Sequence, residues 1–561
     1  MSNIESIKIN IEGFGVREVA RGVTLEEVAE DCKLERPTLL ASVNHHLNEL
    51  RRVLTYDCDV KFLDITDPNG FRAYQRGASF IMISAAKKVL QKLGFTKTQS
   101  RLVIAHSINK NYFCEFPNLE ADSKTFNEIL INIEQEMRQI SQKNLPIEKR
   151  SYRLSEAARI LAEQGLQNKE RLLKYRRATM VNLYKLEGSY DYFYGPMPSH
   201  TKAVSDFKLL PARNGFILQF PSRRHNYTMA GLIPSQKIEE VFEESKKWAR
   251  IIGLDSVASL NDEISVRGIG EIIRVTEALH EKKIAGLADK IIDENKRIVL
   301  IAGPSSSGKT TFASRLSVQL QTHGARPRII SLDNYYLNRE NVPLDEHGKP
   351  DFETINSIDT PLINSHMADL LSGKEILIPT YNFKTGSREP SGKPLNLKKG
   401  DILILEGIHG LNEVIGAGLE ASAAFRIFIS SLTQLNIDDH NRIATTDARL
   451  IRRIVRDNHY RGANAARTLG MWESVMRGER KYIFPFQEHA DAFFNSALIY
   501  EICILKQFAE PLLFSVDASE PESYIEAKRL LKFLDGFLGA SSEAVPPNSL
   551  LREFIGGSCF K

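Results

Sequence analysis

Ile298-Val-Leu-Ile-Ala-Gly303-Pro-Ser-Ser-Ser-Gly308-Lys309-Thr310-Thr311-Phe-Ala-Ser-Arg-Leu316 decides how this chain reads. Five apolar, partly β-branched residues predict a buried strand, a Gly-rich turn follows at once, and Phe312, Leu316 and Leu320 recur at helical spacing behind it. Glycines at both ends of Gly303-x-x-x-x-Gly308-Lys309-Thr310 let the backbone fold tightly enough for successive N–H groups to point inward at a polyphosphate. The helix N-terminus behind adds a partial positive charge. Lys309 would reach the outer phosphates, and the Thr310 hydroxyl would complete a Mg²⁺ shell with phosphate oxygens and water. A chance Gly/Ser turn can match the spacing, but the strand before it and the helix after it are what a phosphate site also requires. The candidate nucleotide contacts are therefore Gly303, Ser305, Ser306, Ser307, Gly308, Lys309, Thr310 and Thr311.

Two further strands are predicted to end in acids. Arg328-Ile-Ile-Ser-Leu-Asp333-Asn-Tyr335-Tyr336 places Asp333 at a strand's carboxyl end, where doubly wound sheets gather their functional groups. A carboxylate there can take the proton of a hydroxyl that attacks a γ-phosphate, although Asp also caps helices. Asp401-Ile-Leu-Ile-Leu-Glu406 is the second, with Glu406 expected at Mg²⁺ or its water shell across from Thr310. Asp447-Ala-Arg449-Leu-Ile-Arg452-Arg453-Ile-Val-Arg456-Asp457 then puts four arginines on one broad helix face, with Arg461 just beyond. Asp447 and Asp457 offset only part of that charge, and a planar guanidinium suits phosphate.

Four ordered segments carry a resemblance to the phosphoribulokinase/uridine kinase family: the phosphate loop, Asp333-Asn-Tyr-Tyr336, Pro379-Thr-Tyr381-Asn-Phe383 with Arg388, and Glu406-Gly-Ile with the arginine helix. Pro485 with Ala490-Asp491 is a further echo, and the whole covers about residues 295–515. The resemblance implies ATP and Mg²⁺, Asp333 as catalytic base beside Lys309, Thr310 and Glu406 at the metal, and Arg453, Arg456 and Arg461 in a mobile lid. It also implies Tyr336, Tyr381, Phe383 and Arg388 around the acceptor, with Arg449 and Glu353 on ribose hydroxyls. Two departures bear on the acceptor. Uridine kinases place a base-contacting His where this chain has Gly386, and their ribose-contacting Asp is Glu353 here. The expected reaction is 5′-phosphorylation of a nucleoside of the uridine or cytidine kind. Another sugar or vitamin alcohol stays open, because pyrimidine readout depends on buried hydrogen bonds.

The 561 residues leave room for roughly three or four domains. Lys and Arg number 74 against 70 Asp and Glu, and a net charge of +4 is too balanced to declare a nucleic-acid or membrane partner. No basic-then-apolar leader and no long apolar window is visible. Five scattered cysteines without a C-x-x-C pair fit a reducing cytoplasm better than a disulfide framework or a zinc site.

The expected organisation is multidomain, α+β followed by α/β. Residues 1–66 read as a small β-grasp unit: Ile7-Lys-Ile-Asn-Ile is an alternating strand, and Thr24-Leu-Glu-Glu27 is a capping box. This unit resembles a TGS domain, the module that begins threonyl-tRNA synthetases. Residues 67–230 continue the likeness into that family's editing domain, through Tyr74-Gln-Arg76-Gly-Ala-Ser-Phe80 and Asp191-Tyr-Phe193-Tyr-Gly195-Pro196-Met197. The family's His-x-x-x-His pair is Arg76 and Phe80 here, its Cys is Phe193 and the following His is Met197, and a phenyl ring cannot do an imidazole's acid/base work. Editing chemistry is thus expected to be absent. An RNA-docking role for this half, using Glu148-Lys-Arg-Ser and Lys169–Arg177, is the rival from another functional class, with the phosphate loop then a nucleotide-dependent switch. Residues 231–290 read as a helical connector of two to four helices, 291–540 as a P-loop kinase-like unit with a parallel sheet, and 541–561 as a flexible tail. A homo-oligomer is suggested by the family likeness alone.

Overall fold

The structure is a computed structural model that describes residues 5–560 except 109, 223–225, 230, 232–235, 347 and 418–422. The boundary expected at 230/231 adjoins residues outside that set.

Alternation in Ser6–Ile11 has its predicted result: Ile7, Ile9 and Ile11 point into a core while their neighbours face solvent. The strand pairs with Gly15–Ala20 antiparallel and with Cys58–Leu63 parallel, in a five-stranded sheet completed by Leu40–Val43 and His46–Asn48. Helix Leu25–Cys32 covers it. Its capping box is formed: the Glu27 N–H donates to Thr24 Oγ1 at 3.2 Å and the Thr24 N–H to Glu27 Oε2 at 2.8 Å. The following unit packs two long helices, Pro68–Lys92 and Ser123–Gln142, against each other and a four-stranded antiparallel sheet. A three-stranded sheet, Glu148–Arg153, Met180–Leu186 and Ser189–Asp191, stands beside it.

Three helices follow, Gln236–Ile252, Val257–Val266 and Gly270–Asp293. They do not link two separate bodies. Ile272, Ile273, Ile284, Leu287 and Ile291 belong to the same hydrophobic core as Val299, Ile301, Phe312 and Ile427, so apolar packing runs unbroken across the expected 290/291 boundary.

The C-terminal unit is built on a five-stranded sheet in the order Arg326–Ser331, Asp401–Glu406, Ile298–Ala302, Ala424–Ser430, Ala492–Asn495, every pair parallel. Ile298–Ala302 is central and buried along its length, as a strand covered on both faces must be. The tail expected to be flexible is instead packed: Val545, Leu550, Leu551 and Phe554 are at most 1% exposed and join the main core. Four large apolar side chains near the chain's end gain more by burial than the segment loses in backbone freedom. No described helix is long and apolar enough to cross a membrane.

Candidate active site

The phosphate loop leaves the carboxyl edge of Ile298–Ala302 and enters helix Lys309–Thr322. Two glycines are required by geometry. A Cβ at Gly303 would stand 2.3 Å from the Ile429 carbonyl oxygen, and Gly308 turns into the helix at φ +84°. Ser306 also takes a left-handed conformation, φ +59°, which turns successive amides the same way.

Parallel register brings the acids to this edge. Glu406 is the Cα partner of both Ile301 and Ser331, and Asp333 follows Ser331 in a short 3₁₀ turn, so two carboxylates from adjacent strands flank the loop. The Thr310 hydroxyl donates to Glu406 Oε1 at 3.2 Å. Burial, reinforced by the neighbouring Asp333 charge, pushes Glu406 up to about 7 against the pull of Lys309. Burial likewise pushes Lys309 down, while Glu406 and Asp333 hold it up. Such crowding of acids around one lysine is costly without a cation, and the Thr310–Glu406 pair has the hard-oxygen character Mg²⁺ takes. On the other side of the loop, the Ser306 and Ser307 hydroxyls are buried with no hydrogen-bond partner, as donors kept for an anion would be. The residues present thus fit a nucleotide phosphate with Mg²⁺.

Helix Thr445–Arg461 divides its arginines between two tasks. Arg453 Nη1 donates to Ser305 Oγ at 2.7 Å, the Arg456 charge reaches Lys309, and the Arg461 guanidinium lies 4.8 Å over the Phe383 ring within range of Asp333. These three lie on the phosphate-loop side of the helix. Asp457 pairs with all three and holds them together. Arg449 is a correction. Instead of facing an acceptor it is buried behind the loop, ion-paired with Glu479 and donating to the Ser305 carbonyl at 3.0 Å. Its Glu479 partner also accepts the Ser305 N–H at 3.0 Å, so the pair clamps the loop's backbone. Arg452 is likewise internal, paired with Glu501 and bonded to the Ser496 carbonyl at 2.8 Å.

Tyr336, Tyr381 and Phe383 form one aromatic cluster with centroids 5.1–6.2 Å apart. Arg388 does not complete it. Its donors reach the carbonyls of Tyr335 at 2.7 Å and Tyr336 at 2.9 Å and the Asp359 carboxylate at 3.1 Å, which braces the turn that carries Asp333. Glu353 lies near Lys309 and Arg453, with Oε2 unpartnered and burial pushing its carboxyl up to about 7. Gly386 has φ +73°, and a Cβ there would be 2.9 Å from Arg339 Nε, so the Arg339 side chain fills the space.

Glu479, Asp457 and the tail's Glu553 were not foreseen as site residues. Glu479 lies 30 positions from Arg449 and no spacing rule joins them. The run Ser549-Leu-Leu-Arg-Glu-Phe-Ile-Gly-Gly557, apolar residues at helical spacing ahead of a Gly stop, was the available signal for the tail.

In the N-terminal half, Phe80 packs edge-on to Phe193 at 5.4 Å, Met197 is buried, and Arg76 donates to the Pro196 carbonyl at 2.7 and 3.1 Å. Phe80, Phe193 and Met197 thus share one apolar core. The basic run at 169–177 is largely engaged within the molecule: Lys169 with Asp191, Arg171 with Asp262 at 2.6 Å, and Arg176 over the Tyr192 ring at 4.3 Å. Lys174 and Arg177 of that run stay exposed.

The profile of the Phosphoribulokinase / Uridine kinase family matches residues 298–501. A uridine kinase of Lactobacillus helveticus is 31% identical over 200 residues, 35% of this chain and 85% of that protein. The chain belongs to the phosphoribulokinase/uridine kinase family. Another uridine kinase, from Macrococcus caseolyticus, is 28% identical over 195 residues, 35% of this chain and 85% of its own. Among solved structures, a possible uridine kinase from Bacillus stearothermophilus aligns with 38% of this chain and 98% of its own at 16% identity, with a TM-score of 0.28. Family membership makes the C-terminal region a P-loop kinase of a nucleoside or other small metabolite, a phosphotransferase that uses ATP.

Proposed function

We propose that the protein transfers the terminal phosphoryl group of ATP, with Mg²⁺, to the 5′-hydroxyl of a nucleoside of the uridine or cytidine kind. The observation that carries this reading is the convergence of Asp333 and Glu406, from adjacent strands, on Lys309 and Thr310. A nucleotide switch needs no second carboxylate beside the phosphates, whereas a kinase needs one to receive the acceptor's proton.

Asp333 takes the hydroxyl proton as the acceptor oxygen bonds to phosphorus. Lys309, Arg453 and Arg456 offset charge on the phosphoryl oxygens, and the arginine face keeps water from competing as acceptor. Thr310 and Glu406 would hold Mg²⁺, which when bound would supply further charge neutralisation at the phosphate oxygens. Tyr336, Tyr381 and Phe383 offer aromatic faces to a planar base, and Glu353 offers a carboxylate to ribose hydroxyls. The proposal for the N-terminal half is a TGS-like unit and an editing-like unit kept for docking on the kinase rather than for chemistry. The filled Phe80–Phe193 site supports it.

The test is acceptor-dependent ADP release by the full-length protein with uridine, cytidine, other nucleosides, ribose and pantothenate. We expect turnover with a pyrimidine nucleoside, reduced about 10²–10⁴-fold by Asp333→Asn with ATP binding retained. Turnover only with a non-nucleoside alcohol would overturn the acceptor, and an Asp333→Asn enzyme of undiminished rate would overturn the base.

A further inference from the structure

The C-terminal segment reaches into the phosphate loop. Glu553 accepts a hydrogen bond from the Thr311 hydroxyl at 2.9 Å and from the Thr311 backbone N–H at 3.3 Å. Thr311 lies in the first turn of Lys309–Thr322, where backbone N–H groups have no acceptor within the helix. In a phosphate loop these are donors for nucleotide phosphate. The protein's own carboxylate thus occupies donors that a phosphate oxygen would take. Its charge is also felt by both Lys309 and Glu406, which places it within reach of the reacting centre.

The segment that carries Glu553 is fixed. Leu550, Leu551 and Phe554 are buried, and the Arg452 guanidinium lies 5.1 Å over the Phe554 ring. Arg452 also bonds to the Ser496 carbonyl and pairs with Glu501, so the anchor ties into the core. Glu553 itself is only partly buried and can turn to solvent while its backbone stays. Phosphate and carboxylate cannot share the Thr311 donors, because two anions at one pair of donors repel.

We propose that Glu553 is a carboxylate latch, an intramolecular competitor that must release Thr311 before nucleotide phosphate can engage it. The proposal rests on the nucleotide reading of the phosphate loop and is independent of the acceptor. If the carboxylate merely capped the helix, its removal would destabilise the fold and leave nucleotide affinity unchanged or weaker.

The experiment measures binding of ADP, ATP and adenosine, without acceptor, to the full-length protein and to Glu553→Gln, Glu553→Ala and Glu553→Asp, each checked for fold by circular dichroism. Release of one charged hydrogen-bond acceptor should tighten ADP and ATP about tenfold in Glu553→Gln and Glu553→Ala. Glu553→Asp, one methylene too short to reach, should tighten them as well. Adenosine has no phosphate and should bind as to wild type. Unchanged or weaker ADP binding in any folded variant would overturn the latch, as would an equal gain for adenosine. A wild-type protein that binds none of the three would overturn the phosphate-loop reading and the latch with it.

Discussion

Lys169→Met is the sharpest test of how the N-terminal half is joined to the kinase. Lys169 is 3% exposed, ion-paired with Asp191, 3.4 Å from Asp438 and 3.2 Å from the Tyr192 carbonyl. His440 Nδ1 closes the group at 2.6 Å from Asp191 Oδ2, and the adjacent Asp439 takes two bonds from Arg101, at 2.7 and 3.0 Å. Burial alone would push Asp191 up, yet Lys169 and His440 bring it below the ordinary carboxylate value. At an effective dielectric of about 20, the 3.4 Å contact with Asp438 alone is worth about 5 kcal/mol of gross attraction. Removing the lysine also removes its own burial penalty, which leaves a net loss of about 3–5 kcal/mol. The assay is urea unfolding followed by the fluorescence of Trp248 and Trp472, one in the connector and one in the kinase. The loss should be smaller at pH 5 than at pH 8, because protonation of Asp191 and Asp438 relieves the uncompensated charge. Lys169→Met with Asp191→Leu should recover most of it. A loss below about 1 kcal/mol at pH 8 would refute the reasoning, since breaking a buried pair cannot be that mild.

Two other outcomes follow from the site. Burial raises Glu353 from its ordinary 4.5 to about 7, so its proton stabilises the nucleotide-free fold fully below about 4.5, and that stability is lost as pH rises through about 7. Because Glu353 is partly exposed, about 2 kcal/mol of the full linkage remains, and Glu353→Gln should exceed wild type by that amount at pH 8 in urea titrations. A variant with the same pH slope as wild type would exclude Glu353 as the source. Gly386→Ala should cost about 1–2 kcal/mol through its positive φ and its approach to Arg339, and Arg339→Ala should return the steric part. Additive losses in the double variant would show that Arg339 does not fill that space.

The sequence was most legible where chemistry depends on local order. Gly303 to Thr311 has its spacing written in one stretch, and the strand-end acids Asp333 and Glu406 follow from apolar runs that stop at a carboxylate. The capping box Thr24–Glu27 was equally local. Arginines were harder. Arg449, Arg452, Arg453 and Arg456 recur at helical spacing, but only Arg453 and Arg456 face the site, because a broad helical stripe spans both the site and the core behind it. Sequence periodicity names the face and not the buried carboxylate that will claim each guanidinium.

By itself, then, the sequence determined the phosphate loop, the parallel sheet around it and the family, since each rests on short stretches of chain whose pattern is local. Tertiary structure decided which arginine meets phosphate and which meets Glu479 or Glu501, and it joined connector and kinase into one core. It also brought Glu553 to Thr311 across 242 positions and Lys169 to Asp438 across 269. Such contacts form where the fold brings polar and charged groups together, most firmly where both are buried, and no local pattern records that pairing.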